Sequence, residues 1–124
     1  RFEGYRPDAA GALAQAQVFV LSSRSEAFPR SVLEAMRAGL PVIATAVGGV
    51  PEAVAQDRTG LLVRRGSPEA LAAALSRLLV DPPERQRLGA AARLDYERRF
   101  RFERMAEETM SLYTESIGKP PRKK

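Results

Sequence analysis

Short apolar runs alternate with segments of helical periodicity along the first half of the chain. Val18-Phe19-Val20-Leu21 has no polar interruption, the pattern of a strand buried on both faces of a parallel sheet. Pro41-Val42-Ile43-Ala44-Thr45 and Leu61-Leu62-Val63 read as a second and a third strand, the proline being tolerated at a strand start. Between the first two, Val32, Leu33, Ala35 and Met36 give an apolar side to a helix that Pro29 opens and that Gly39, after Ala38, closes. Asp8 predicts a capped helix over Ala9 to Gln15, and Pro51 to Gln56 a further short one.

The second half is helical. Ser67-Pro68-Glu69 is a cap, a first-turn proline and a first-turn acid, opening a helix to Val80 with Leu71, Leu75, Leu78 and Leu79 on one face. The next helix spans about Pro83 to Arg98, with Leu88, Ala91, Ala92 and Leu94 near its apolar side. The last spans Phe102 to Ile117, with Met105, Thr109, Leu112 and Tyr113 at helical spacing. Strands alternating with helices predict an α/β fold: a partial Rossmann-like parallel sheet of about three strands, with right-handed crossovers and flanking helices. Three strands are half of a doubly wound nucleotide domain, so the first strand is expected to lack a neighbour on one side. A bare edge predicts self-association or element swapping. Residues 1–118 read as one domain and 119–124, Lys-Pro-Pro-Arg-Lys-Lys, as a basic disordered tail.

Composition narrows the chemistry. The 124 residues include neither Cys nor His, which removes thiolate nucleophiles, cysteine zinc sites and the Ser-His-Asp triad. The net charge of +5 is assigned to a solvated surface plus the tail. No interleaved aromatics or nucleic-acid motif accompany it, so no nucleic-acid partner is expected, and an anionic membrane surface is the minor alternative. No apolar run approaches the ~18 residues of a membrane span. The opening Arg1-Phe2-Glu3-Gly4-Tyr5 lacks both a Met and a signal-peptide pattern, so the chain reads as cut from something longer. A cytoplasmic location is expected, peripheral to the inner membrane surface at most.

Ligands of open parallel sheets bind beyond the carboxyl ends of the strands, which picks out the loops Ser22 to Phe28 and Ala46 to Val50. The first leads into Glu26-Ala27-Phe28-Pro29-Arg30-Ser31-Val32-Leu33-Glu34, two glutamates flanking a helix start. The unpaired amides of Arg30, Ser31 and Phe28 suit a phosphate, with the Ser31 hydroxyl beside them; Pro29 donates none. A carboxylate accepts from two neighbouring sugar hydroxyls, so Glu34 inside the helix and Glu26 on the loop are placed to hold different sugars. The plain alternative is that Glu34 pairs with Arg30 or Arg37, Glu26 is a solvated loop acid, and Gly48 and Gly49 permit a tight turn.

The ordered string Glu26, Phe28, Pro29, Glu34, Ala35, Met36, Gly39, Pro41, Val42, Ala44, Thr45, Gly48, Gly49 and Glu52 resembles the retaining glycosyltransferases of family 4, the group 1 enzymes of GT-B fold. Thr59-Gly60-Leu61-Leu62-Val63 and the opening Phe2-Glu3-Gly4-Tyr5 extend the resemblance over nearly the whole chain. It implies that this is the C-terminal part of a domain that binds a nucleotide-diphosphate sugar. By resemblance, Glu26 contacts the donor sugar or lies near its phosphate, and is the catalytic candidate. The amides around Phe28 to Ser31 hold the sugar and diphosphate, Val32 and Leu33 line the pocket, Glu34 binds the ribose, and Gly48 and Gly49 let the backbone come close. No metal and no cofactor beyond the donor are implied. The Arg and Lys that neutralise the diphosphate, most of the base pocket and the acceptor domain are expected upstream, so the 124 residues alone are expected to be inactive. Ala27 and Pro29-Arg30 depart from the glycine-containing pattern, which leaves open which amide reaches the phosphate. The alternatives are a non-catalytic nucleotide-sugar-binding or assembly module, or a sugar-nucleotide epimerase of GT-B fold, whose extra acid–base residues are not found.

Overall fold

A computed structural model describes residues 2–117; the tail expected at 119–124 lies outside them. The elements in chain order are α1 (Ala9–Ala14), β1 (Phe19–Leu21), α2 (Arg30–Arg37), β2 (Val42–Thr45), α3 (Val50–Ala53), β3 (Gly60–Val63), α4 (Pro68–Val80), α5 (Pro82–Arg99) and α6 (Phe102–Ile117). The three strands are parallel in the order β1-β2-β3, with Phe19 opposite Val42 and Val42 opposite Gly60. β2 is therefore central, and all four of its residues are buried.

Alternation along β2 separates two cores. Val42 and Ala44 face Val32, Ala35 and Met36 of α2, Val50 and Ala53 of α3, and Ala92 of α5. Ile43 faces the other way, with Leu61 and Val63 of β3, Leu78 of α4 and Leu88 of α5. The expectation that the first strand is buried on both faces is corrected. Val20 is 40% exposed, because α4 packs mainly on β2 and β3. The outer edges also differ. On β3 the outward amide of Leu62 donates to Gln56 Oε1 at 2.6 Å, so that edge is closed by a side chain. β1 has no such cover among the described residues.

Local signals explain most boundaries. Asp8 Oδ1 accepts from the Gly11 amide, and Ser67 Oγ from the Ala70 amide. At the end of α2 the C-cap is Ala38, and Gly39 follows it with φ +75°. Gly39 N–H donates to Met36 O and Leu40 N–H to Ala35 O, a paired closure that needs a left-handed residue at 39. The short helix after the glycine loop begins at Val50 and ends at Ala53, tighter than the expected Pro51 to Gln56, because the Val54 amide returns to the Val50 carbonyl and the chain then extends. In the turn before β3, hydrogen bonds from Arg77 and then from Gln56 hold the Asp57 carboxyl below the usual carboxylate range.

The α5 start also moves: Asp81 closes α4 and caps α5, its Oδ1 accepting from the Glu84 amide at 2.9 Å. Asp81→Ala should lower stability by about 1 kcal/mol, the typical worth of an N-cap, read as a lower midpoint in urea at unchanged slope. On α4 and α5 the expected faces are only partly buried. Leu79 and Leu94 are exposed, while Asp95, unremarked in the sequence, is buried. No residue of α6 is buried; Phe102, Met105, Met110, Leu112, Tyr113 and Ile117 are all exposed.

Candidate functional site

The loops after β1 and β2 meet at the carboxyl end of the sheet. Buried Thr45, the last residue of β2, donates through Oγ1 to the Ser23 carbonyl at 2.6 Å. Ser23 Oγ in turn donates to Glu26 Oε1 at 2.6 Å. The end of the central strand thus sets the first glutamate through one intervening serine. Glu26 is half-buried, and its second oxygen has no protein partner among the described residues.

The glycines after β2 bring the two loops into contact. A Cβ on Gly48, whose φ is +52°, would stand 1.6 Å from the Glu26 carbonyl oxygen; one on Gly49 would stand 2.4 Å from the Ala27 oxygen. The Gly49 amide donates to Ala27 O at 2.7 Å. The backbone that these glycines let come close is that of Glu26 and Ala27, which makes them part of the scaffold under the first glutamate.

α2 begins immediately after this contact. Its N-cap, Pro29, makes no side-chain capping bond, and the Val32 amide is already turned to the Pro29 carbonyl at 3.2 Å. The amides of Arg30 and Ser31 are left without a protein partner among the described residues, and a helix start of this kind favours negative charge. Arg30 and Phe28 are exposed and Ser31 is half-buried, so the expected phosphate donors are accessible. Of the two expected pocket residues, Val32 is fully buried in the core, because its position on α2 faces the sheet, whereas Leu33 is half-buried and packs against that core.

Glu34 lies four residues into α2, about 6 Å along the axis. It is exposed and stands on the wall of a groove of about 480 Å³ between α1 and α2, with Ala9, Ala10 and Leu13 opposite and Arg37 beside it. It makes no ion pair with Arg30 or Arg37 among the described residues, so its carboxylate is available to a ligand. One glutamate thus stands on the loop before the helix start and the other on the groove wall beyond it.

Sequence reasoning overlooked the supports. Phe28 packs its ring against Phe100, centroids 5.8 Å apart and tilted by 51°, and the Arg99 guanidinium lies 4.5 Å above the Phe100 ring. No local pattern links residues so far apart along the chain. Ser23 and Thr45 had a weaker signal, being polar residues at strand ends. Among the described residues there is no cluster of three or more Asp, Glu, His or Cys able to hold a metal ion, and no helix long and apolar enough to cross a membrane.

Known proteins resemble this chain in sequence and fold. The family described as "Glycosyl transferases group 1" matches residues 1–95. A D-inositol 3-phosphate glycosyltransferase of Corynebacterium glutamicum is 42% identical over 103 residues, 83% of this chain and 24% of that protein. The chain therefore spans about a quarter of the length of the curated relatives it matches. Among solved structures, sucrose-phosphate synthase from Thermosynechococcus elongatus superposes with a TM-score of 0.83 at 38% identity, over 86% of this chain and 27% of that one. HepE of Anabaena, solved in complex with UDP, superposes with a TM-score of 0.82 at 28% identity, over 90% of this chain and 32% of that one. The expected α/β architecture is that of the GT-B glycosyltransferases. With that family matched over residues 1–95 and the fold shared with its solved relatives, this chain belongs to the group 1 glycosyl transferases.

Proposed function

We propose that this chain is the C-terminal part of the donor-binding domain of a retaining glycosyltransferase that takes a sugar from a nucleotide diphosphate. The observation that carries the reading is the α2 start: two amides without a protein partner among the described residues, no side-chain cap, Glu26 just before it with one carboxylate oxygen left over by Ser23, and Glu34 on the groove wall further along the helix. HepE, a neighbour of the same fold, has been solved with UDP and glucose and with UDP-glucose, which supports a nucleotide-sugar donor here.

In this reading the amides of Arg30 and Ser31, with the Ser31 hydroxyl, receive the diphosphate. Glu34 accepts hydrogen bonds from the ribose hydroxyls, and Glu26 accepts from the donor sugar through the oxygen that Ser23 leaves unoccupied. Leaving-group charge is offset by the amides and by cationic side chains upstream, so no metal is required. Glu26 and Glu34 act by orienting hydroxyls, and the leaving phosphate serves as the base. The acceptor site belongs to an upstream domain that this chain does not supply, and the uncovered edge of β1 is where the upstream half of the sheet, or a second copy, would pair.

The test is Glu34→Gln in the full-length enzyme, titrated with UDP, GDP and ADP by calorimetry. The amide keeps the shape and loses half of the acceptor capacity. Affinity for the preferred diphosphate should fall about tenfold, in line with the loss of one charged hydrogen bond, with the melting temperature unchanged because Glu34 is exposed. Affinity within twofold of wild type would remove Glu34 from the ribose contact.

A further inference from the structure

The far end of α5 reaches back to the donor loop through a chain of contacts that begins at a buried carboxylate. Asp95 is only 6% exposed, yet it carries no hydrophobic role. Its Oδ2 accepts from Arg99 Nη1 at 2.9 Å, and its Oδ1 lies 3.6 Å from Arg58 Nη2. Arg99 uses its other terminal nitrogen, Nη2, to donate to the Glu52 carbonyl of α3 at 2.6 Å. Both ends of the guanidinium are thus fixed, and its plane is held over the Phe100 ring. A planar guanidinium bound at two points and stacked on an aromatic face is a rigid arrangement that lysine cannot reproduce.

Phe100 then touches Phe28, whose Cδ2 lies 2.7 Å from where a Cβ on Gly49 would stand. Phe28 is therefore held between the glycine loop and Phe100. It is also the second residue before Arg30, whose amide opens α2. A shift of the Phe28 ring moves the backbone that presents the Arg30 and Ser31 amides. Phe100 takes its own position from the end of α5, where its amide donates to the Tyr96 carbonyl at 2.9 Å.

We propose that Phe100, held by Arg99 and Asp95, is a positioning residue that sets the Glu26–Ser31 loop for the donor diphosphate. The inference rests on the donor-binding reading above. It adds a determinant outside the glutamate-containing segment, at the C-cap of α5. A ring that only filled space would govern how much protein folds. A ring that positions the loop governs how tightly each folded molecule holds a diphosphate.

Calorimetry of the full-length enzyme with UDP, GDP and ADP separates these effects, because stoichiometry reports the folded fraction and Kd the site. Phe100→Ala should weaken the preferred diphosphate about tenfold, the scale expected when binding groups are displaced by a fraction of an ångström, at unchanged stoichiometry. Phe100→Tyr, which keeps the ring, should restore Kd to within twofold. Arg99→Lys should weaken Kd by an intermediate factor. If Phe100→Ala yields no folded protein, Phe100→Leu is read in the same way. A reduced stoichiometry with an unchanged Kd in the Phe100 variants, while Glu34→Gln weakens binding, overturns the positioning role and leaves the donor site standing. Failure of all three diphosphates to bind the wild-type enzyme overturns both.

Discussion

Replacing Gly48 by alanine should reduce sugar transfer by the full-length enzyme by more than about 100-fold, the scale seen when a positioned loop moves by an ångström. Two independent penalties act at this position. The backbone sits at φ +52°, where an L side chain costs roughly 1–2 kcal/mol. The new Cβ would also stand 1.6 Å from the Glu26 carbonyl oxygen and 2.7 Å from its carbon, and neither atom is the end of a flexible side chain. One of the two loops must give way, and either movement breaks the contact that seats the backbone of Glu26. Gly66 supplies the control: its φ is +72°, but nothing lies within 4 Å of its missing Cβ. Gly66→Ala should lose a comparable increment of stability from the backbone alone and keep transfer within a few-fold of wild type. The pair is measured by donor turnover alongside thermal melts. Transfer by Gly48→Ala at wild-type rates would mean that the contact between the two loops does not set the site.

Glu26→Gln should lower transfer by roughly 10- to 150-fold, the equivalent of the 1.5–3 kcal/mol that a hydrogen bond to a charged group contributes. The substitution keeps the volume and leaves an oxygen for Ser23 Oγ, so the loop is retained and the melting temperature should not change. What disappears is the second accepting oxygen, which is replaced by an amide that can only donate. Ser23→Ala probes the same carboxylate from behind. It removes the 2.6 Å bond that orients Oε1 and should lower transfer by about tenfold. If Glu26 acts by orientation, the two changes combined should lose less than the product of their separate effects, since they act on one group. Full multiplicative loss in the double variant would place Ser23 in contact with the donor on its own account.

Where the elements begin and end was largely legible along the chain. Asp8, Ser67 and Gly39 act on amides or carbonyls within four residues, so their effects are visible in a short window. α6 was bounded in full at Phe102–Ile117. The misplaced limits have separate causes. Asp81 caps across two prolines, and Pro82, not only Pro83, is already helical, while the short helix after the glycine loop stops at Ala53 where the Val54 amide returns to Val50. The exposure of Val20 was invisible for a different reason: an apolar residue in an apolar run carries no information about which helix will cover it.

The site divides along the same line. The order Glu26, helix start, Glu34 is a property of one continuous segment, and the helix geometry that separates the two carboxylates follows from local structure alone. The sequence by itself therefore determined the family and the parallel α/β architecture, and it nominated the residues proposed to meet a donor. Only the tertiary structure decided how those residues are held. It showed that Gly48 and Gly49 approach the backbone of Glu26 and Ala27, that Thr45 reaches Glu26 through Ser23, and that Phe100 lies against Phe28. Each of these joins segments whose separation along the chain exceeds the reach of any turn or helix. Packing, not periodicity, brings them together.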